Sequence, residues 1–336
     1  MTTKKAQLGR TVSIVGTGSY APDRILTNAE LEKMVDTSDE WIVTRTGIRE
    51  RHIAAAEQAT SDLAAEAARR ALADAGVKAE DVGLIVVATI TPDMGFPSTG
   101  CLVQTLIGAE NAFCFDLEAA CSGFIFALET AKNYVASGTV ETALVIGAEK
   151  MSAFVDWKDR NTCVLFGDAA GAAVLQARNA PHGLMASAFG SDGSLGELLM
   201  LPAGGSRRPA SEQTVKDRLH YLKMAGREVF KHAVNNMVKS SKEAIRRAGL
   251  TAHDIDWIIP HQANLRIIDA IADRLGEPRE KLVINLDRYG NTSAATITVA
   301  LDELARSGKL KKGHRILLTA FGGGFTWGAS VVEWDK

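Results

Sequence analysis

The chain has few cysteines, little net charge and no long apolar run, and each shortage removes a class of function. Its four cysteines, Cys101, Cys114, Cys121 and Cys163, form no C-x-x-C pair in 336 residues. No histidine pair has metal-ligand spacing either, so neither a disulfide framework nor a zinc site is expected. Lysine plus arginine number 38 against 40 acidic residues, a net charge of −2. Nothing in that balance draws the chain to nucleic acid or anionic lipid. The longest apolar stretches, VGLIVVATI (82–90) and TALVIGA (142–148), fall far short of the roughly 20 residues that cross a bilayer, and read as buried strands. The segment MTTKKAQLGRTVSIVG (1–16) is basic but has no apolar h-region and no small-residue cleavage site, so the expected location is cytoplasmic. No P-loop and no G-x-S-x-G elbow occurs. GTGSYA (16–21) mimics a dinucleotide fingerprint, but Pro22-Asp23-Arg24 follows it where a helix is needed to hold a pyrophosphate.

What is present is a large core, with 46% hydrophobic residues, in segments that alternate between helix-like and strand-like. SDLAAEAARRALADAG (61–76) opens on a Ser-Asp cap and stops at a glycine, and LIVVAT follows as a buried strand. This alternation predicts an α/β architecture with covered sheets. The pattern occurs twice. RRALADAGVKAEDVGLIVV (69–87) resembles KEAIRRAGLTAHDIDWIIP (242–260), with Ala75-Gly76 matching Ala248-Gly249 and, at the same offset, Asp81 matching Asp254. Ser137-Gly138 before ALVIGA likewise parallels Ser307-Gly308 before RILLTA. Carried back along the preceding helix, that second offset sets Cys121 against Asn291. The common order of the matches predicts two duplicated halves, 1–185 and 186–336, packed so that equivalent helix starts meet centrally. The segment 204–218 reads as an exposed, mobile loop.

Four stretches carry candidate chemistry. In DLEAACSGFIFALE (116–129), Cys121 stands between small residues where a polar approach gives way to an apolar helix. A lone cysteine is commonly a buried hydrophobe, but small neighbours leave room for a substrate and a helix start stabilises a thiolate. The other three cysteines sit in apolar or strand-like runs and read as structural. In PHQANLRII (260–268), His261 follows a strand's C-terminal end, where α/β proteins place their sites. Asn264 there reads as a helix cap. In RYGNTSAAT (288–296), Asn291 precedes small residues and a helix, and an N-cap role is the plain alternative. FGGGFTWG (321–328) reads as a turn, or as a place where a backbone N–H approaches a substrate closely.

ACSGF, PHQAN, YGNTSAA and FGGGFTWG, in that order, resemble the thiolase superfamily and within it β-ketoacyl-acyl-carrier-protein synthase III. The likeness extends to TSDEWIVTRTGIRERHIA (37–54) and DRNTCVLFGDAAGAAVL (159–175). The resemblance implies a five-layered α-β-α-β-α fold and a homodimer. It implies an acyltransferase that condenses an acyl-CoA primer, acetyl-CoA first among them, with malonyl-acyl carrier protein, acyl-CoA being a substrate and no cofactor being needed. By the same resemblance Cys121, His261 and Asn291 are catalytic, and the N–H groups of Cys121 and Gly323 form the oxyanion hole. Trp41 and Arg160 sandwich the adenine of coenzyme A, Thr37 and Arg45 assist there, and Asn264 borders the pantetheine tunnel. Phe96 reaches into the partner's acyl pocket, on which Met224 and Phe321 also bear, and Arg266 helps to dock the acidic carrier protein.

Departures and rivals bound this reading. Ser122 stands where alanine is common and Arg227 where asparagine is often found, which bears on primer choice and acceptor contacts. A thiolase needs a second cysteine near the C-terminus, and none follows Cys163. No acidic base of the hydroxymethylglutaryl-CoA synthase kind is placed in these motifs. A condensing enzyme of secondary metabolism, and a non-catalytic binding protein on the same fold, remain as alternatives.

Overall fold

The computed structural model describes residues 10–178 and 183–336; residues 1–9 of the segment read above for a leader lie outside it. Nine strands build two sheets: β1 (Thr11–Tyr20), β2 (Leu84–Ala88), β3 (Phe113–Leu117), β4 (Thr142–Glu149) and β5 (Ala169–Arg178), then β6 (Leu184–Ser191), β7 (Trp257–Pro260), β8 (Arg315–Gly322) and β9 (Thr326–Glu333). The main helices are α1 (Asp39–Thr46), α2 (Thr60–Ala75), α3 (Thr99–Ile107), α4 (Gly123–Ala136), α5 (Gly226–Arg247), α6 (Leu265–Leu275) and α7 (Thr296–Arg306). The first sheet runs β1-β5-β4-β2-β3 and the second β6-β9-β8-β7. In both, two antiparallel pairings lead to a parallel one: β1 with β5, β5 with β4 and β4 with β2 correspond to β6 with β9, β9 with β8 and β8 with β7.

Five layers result. Helix α2 packs on the outer face of the first sheet against β1, β5 and β4, and α5 covers β9, β8 and β6 of the second. Between the sheets lie α4 and α7. Phe124, Ile125 and Leu128 from α4 share one apolar cluster with Ile297, Ala300 and Leu301 from α7 and with strand residues of both sheets. The five-layered arrangement expected from the sequence is therefore present.

The sequence repeats fall on matching elements. Gly76 (φ 63°) ends α2 and Gly249 (φ 74°) follows α5, both in the left-handed region that glycine adopts without a side-chain penalty. A single 3-10 turn then leads to β2 at Ala79–Asp81 and to β7 at Ala252–Asp254. The expected equivalence of Cys121 with Asn291 does not hold. The 3-10 turn Ala120–Ser122 runs into α4, and Ser293–Ala295 runs into α7, each opened by a non-glycine residue of positive φ, Ala120 (45°) and Ser293 (49°). In that register Cys121 corresponds to Ala294. The offset drifts because α4 has 14 residues and α7 has 11, so the Ser-Gly stops that anchored the match lie beyond the difference.

GTGSY (16–20) of the GTGSYA stretch ends β1, where Gly16 and Gly18 let the strand touch α2: a β-carbon on Gly18 would stand 2.3 Å from the Ala71 nitrogen. Its glycines serve packing. The segment 204–218 contains a helix, Glu212–Lys216, closed by a Ser211–Thr214 capping box. Arg218 forms a double hydrogen bond with the buried Asp156, at 2.9 Å through Nε, and His220 meets the Thr214 hydroxyl at 2.9 Å. The segment is exposed, as expected, apart from Thr214 and the partly buried Arg218, and its last residue is tied to the body.

Candidate active site

The parallel strands of the two sheets bring their C-terminal ends together, and the residues just beyond those ends line one cavity of about 2120 Å³. Cys121 follows β3, His261 follows β7, and Gly323 follows β8; Asn291 comes from the turn before α7. All four line the cavity, as do Phe96, Met224, Phe321, Asn264, Arg266, Trp41 and Arg45. Thr37 and Arg160 do not. Cys101, Cys114 and Cys163 are absent from its wall, and burial lifts the Cys114 and Cys163 thiols to about 12 and about 11.

Cys121 is buried in its 3-10 turn, one step before α4. The chain behind it is crowded: a β-carbon on Gly322 would lie 2.6 Å from the Cys121 nitrogen. Only glycine lets the β8 end pass this close to that N–H. The sequence reading expected the helix start to hold a thiolate. Burial outweighs it, and the thiol is pushed up to about 12, with the hydrogen bond from Ser293 pulling downward and the charge of Glu149 adding to the rise. The resting group is a thiol. Ser122 is fully buried and absent from the cavity wall, its hydroxyl lying 2.8 Å from both the Ala119 carbonyl and Thr326 Oγ1.

His261 is neutral, since burial lowers its pKa to about 3. Its Nδ1 lies 2.7 Å from Thr296 Oγ1, and that hydroxyl also reaches the Ser293 carbonyl at 3.1 Å. Thr296 has one hydroxyl proton: given to Nδ1 it leaves the ring hydrogen on Nε2, and given to the Ser293 carbonyl it places the ring hydrogen on Nδ1. Asn291 Oδ1 accepts from the Ser293 N–H at 2.8 Å, leaving the amide NH2 as its donor. In the first of these arrangements two neutral donors border the cavity near a thiol. Thr296 and Ser293 went unnoticed in the sequence because each is one hydroxyl in a small-residue run.

Toward the mouth, Trp41 lies between two guanidinium groups, with Arg45 4.8 Å and Arg160 4.9 Å from its ring centre. Arg160 also donates to the Asp36 carbonyl at 2.7 Å. The expected adenine slot between Trp41 and Arg160 is closed on itself, and an inserted ring would have to displace the guanidinium. Asn264 caps α6, accepting from the Arg266 N–H at 2.9 Å, while its Nδ2 donates to the Arg45 carbonyl at 3.0 Å. The Thr37 hydroxyl is buried with no partner. Arg266 stands over the Phe230 ring at 5.8 Å, Phe321 meets Phe325 at 4.8 Å with the rings tilted by 59°, and Met224 pairs with Leu199 in a two-residue strand. Phe96 is 87% exposed. Among the described residues, no group of three or more histidine, cysteine or acidic side chains could hold a metal ion, and no helix is long and apolar enough to cross a membrane.

Residues 115–193 match the family 3-Oxoacyl-[acyl-carrier-protein (ACP)] synthase III, and residues 245–334 match its C-terminal family. A beta-ketoacyl-[acyl-carrier-protein] synthase III of Caldanaerobacter subterraneus subsp. tengcongensis is 57% identical, over 96% of this chain and 98% of its own. The crystal structure of the Aquifex aeolicus 3-oxoacyl-[acyl-carrier-protein] synthase III superposes with a TM-score of 0.90 at 47% identity, covering 96% of this chain and 100% of that one. The priming beta-ketosynthase of the R1128 polyketide pathway superposes with a TM-score of 0.91 at 37% identity, covering 100% and 99%.

Proposed function

The chain belongs to the 3-oxoacyl-[acyl-carrier-protein] synthase III family, acyltransferases of fatty acid biosynthesis, and from that premise we propose that Cys121, His261 and Asn291 perform its condensation. The substrates in this reading are an acyl-CoA primer and malonyl-acyl carrier protein. The observation that carries it is the meeting of a buried thiol with two neutral hydrogen-bond donors at one cavity.

Carbon–carbon bond formation needs an acyl group still electrophilic toward an enolate. A thioester on Cys121 supplies it, because sulfur donates less into the carbonyl than a serine oxygen would. During transfer from coenzyme A the tetrahedral oxyanion is held by the N–H groups of Cys121 and Gly323, donors of a kind each worth about 3 kcal/mol. The malonyl group then loses carbon dioxide. His261 Nε2–H and the Asn291 amide donate to the enolate oxygen as charge builds there, and neither carries a charge that would oppose it. The carbanion attacks the acyl carbon, and the Cys121 sulfur leaves.

The remaining assignments belong to the same proposal. Trp41, Arg45, Arg160, Thr37 and Asn264 hold coenzyme A along the tunnel, with Arg160 swinging off Trp41 to admit the adenine. Arg45, Arg207, Arg208, Arg227 and Arg266 line the cavity against Asp116, Glu118 and Glu197, and this positive balance supports an acidic carrier protein as partner despite the small net charge. Phe96 crosses to the acyl pocket of a second subunit, where it joins Met224 and Phe321. A cytoplasmic setting and the absence of a cofactor go with this reading. The two matched sheet orders support the division into halves, with the break at the start of β6. A second reading, priming of polyketide synthesis, is favoured by the R1128 likeness over the whole chain.

The test is to incubate the protein with radiolabelled acetyl-CoA and then malonyl-carrier protein. Label on Cys121, release of coenzyme A thiol and then of carbon dioxide are expected. Cys121→Ala must abolish labelling and Cys163→Ala must spare it; the reverse would end the assignment.

A further inference from the structure

Glu149 ends β4 with no exposed surface, and its carboxylate is surrounded by donors. The Thr91 hydroxyl reaches Oε2 at 2.6 Å, the Thr91 and Ile90 N–H groups at 3.1 Å and the Thr89 hydroxyl at 3.1 Å. Oε1 accepts at 2.9 Å from the hydroxyl of Ser293, a residue of the other half. Ser293 also lines the cavity beside Cys121, and its hydroxyl pulls the Cys121 thiol down against burial. Ser293 gives its one hydroxyl proton to Glu149 Oε1 and so links the cavity wall it shares with Cys121 to that carboxylate, in a backbone conformation (φ 49°) that non-glycine residues seldom adopt.

A buried thiol must lose its proton as it attacks. Held at about 12, Cys121 leaves on the order of one thiolate in 10⁵ at neutral pH. His261, lowered to about 3, is a weak acceptor. Glu149, raised by burial to about 7 against the hydrogen bonds that oppose it, is matched to physiological pH. Resting on the reading of Cys121 as acyl carrier, we propose that Ser293 relays the Cys121 thiol proton to Glu149 during acylation and returns it during condensation. In this proposal Ser293 Oγ receives the proton of the reacting sulfur, and Glu149 acts through it.

The proton count closes. As Cys121 Sγ bonds to the acyl carbon, its S–H proton passes to Ser293 Oγ and the Ser293 proton to Glu149 Oε1. The acyl–CoA bond breaks, and coenzyme A leaves as thiolate and takes a proton from water. Glu149 is then neutral while the enolate develops, so no buried anion opposes that charge. When the Cys121 thioester breaks, the departing sulfur recovers its proton from Ser293, which is replenished by Glu149. One solvent proton is consumed per turnover, as loss of carbon dioxide from a malonyl carboxylate requires.

The experiment is rapid-quench labelling of the full-length protein by acetyl-CoA, without malonyl-carrier protein, across about pH 5 to 9. The wild-type acylation rate should rise with pH and level off above about 7 as Glu149 ionises. Glu149→Gln keeps the shape but holds no proton; it should acylate on the order of 10²-fold more slowly, without that limb. Ser293→Ala, which leaves the Thr89–Thr91 contacts of Glu149 in place, should do the same. Both should keep malonyl-carrier protein decarboxylation. If Ser293→Ala keeps the wild-type rate and limb, the relay is overturned, whether or not Glu149→Gln folds. Loss of label in Cys121→Ala is a separate result, so failure of the relay and failure of the acyl-carrier reading are distinguishable.

Discussion

At the scale of single residues, burial sets the chemistry of this site more than formal charge does. His261 stays neutral through the physiological range because desolvation penalises its imidazolium, and Asn291 presents an amide where an acid would add charge. Asn291→Asp isolates that choice. A carboxylate still accepts from the Ser293 N–H, so the turn should keep its geometry while the enolate loses a donor and faces an anion. Decarboxylation should fall on the order of 10²- to 10³-fold, the cost of removing one such donor. Acylation of Cys121 should change far less. Carbon dioxide release and acyl labelling, measured on the same preparation, check this; equal losses in both would contradict the division of labour.

At the scale of elements, close contact between strand and helix fixes what the ends of the strands present. Gly18 lies against the α2 backbone, where a β-carbon would meet the Ala71 nitrogen at 2.3 Å. Backbone cannot yield as a flexible side chain does, so Gly18→Ala should destabilise the fold by about 1–3 kcal/mol or more, read as a lowered midpoint in thermal or denaturant unfolding. Glycine stops, capped helix starts and buried strands are local patterns, and they made the alternation, the repeat and the four motif stretches legible in the sequence. Three things were not. The register joining Cys121 to its counterpart depends on where two helices of unequal length begin, which a match at their far ends misses. Glu149 is one acidic residue after an apolar run, and only the approach of Ser293 from the other half gives it a neighbour to act on. The anchoring of the 204–218 segment at its end comes from Asp156, distant in sequence, which captures Arg218.

At the scale of the whole molecule, Met94 and Phe96 form an exposed apolar tip beside the cavity, 48% and 87% accessible in the single chain. The proposed dimer covers such a tip. Sedimentation should give twice the 35.9 kDa of one chain. Phe96→Ala should keep the dimer and enlarge the partner's acyl pocket, moving preference toward longer or branched primers by about tenfold or more, a few methylenes' worth of discrimination. Competition between acyl-CoA chain lengths measures it; an unchanged ranking would remove Phe96 from the pocket.

The middle layer carries a consequence for how such a chain assembles. Helices α4 and α7 are covered from both sides, each by strands of both sheets, and share one apolar cluster. Neither half closes its own core. Cut between β5 and β6, each piece would expose the face it now buries against the other, and would need a second molecule to hide it. Joining the halves in one polypeptide replaces that encounter between molecules with one within a molecule, at an effective concentration set by a short connection rather than by expression level. The thiol on one half and its histidine and asparagine on the other are therefore always produced in equal number and never have to find each other.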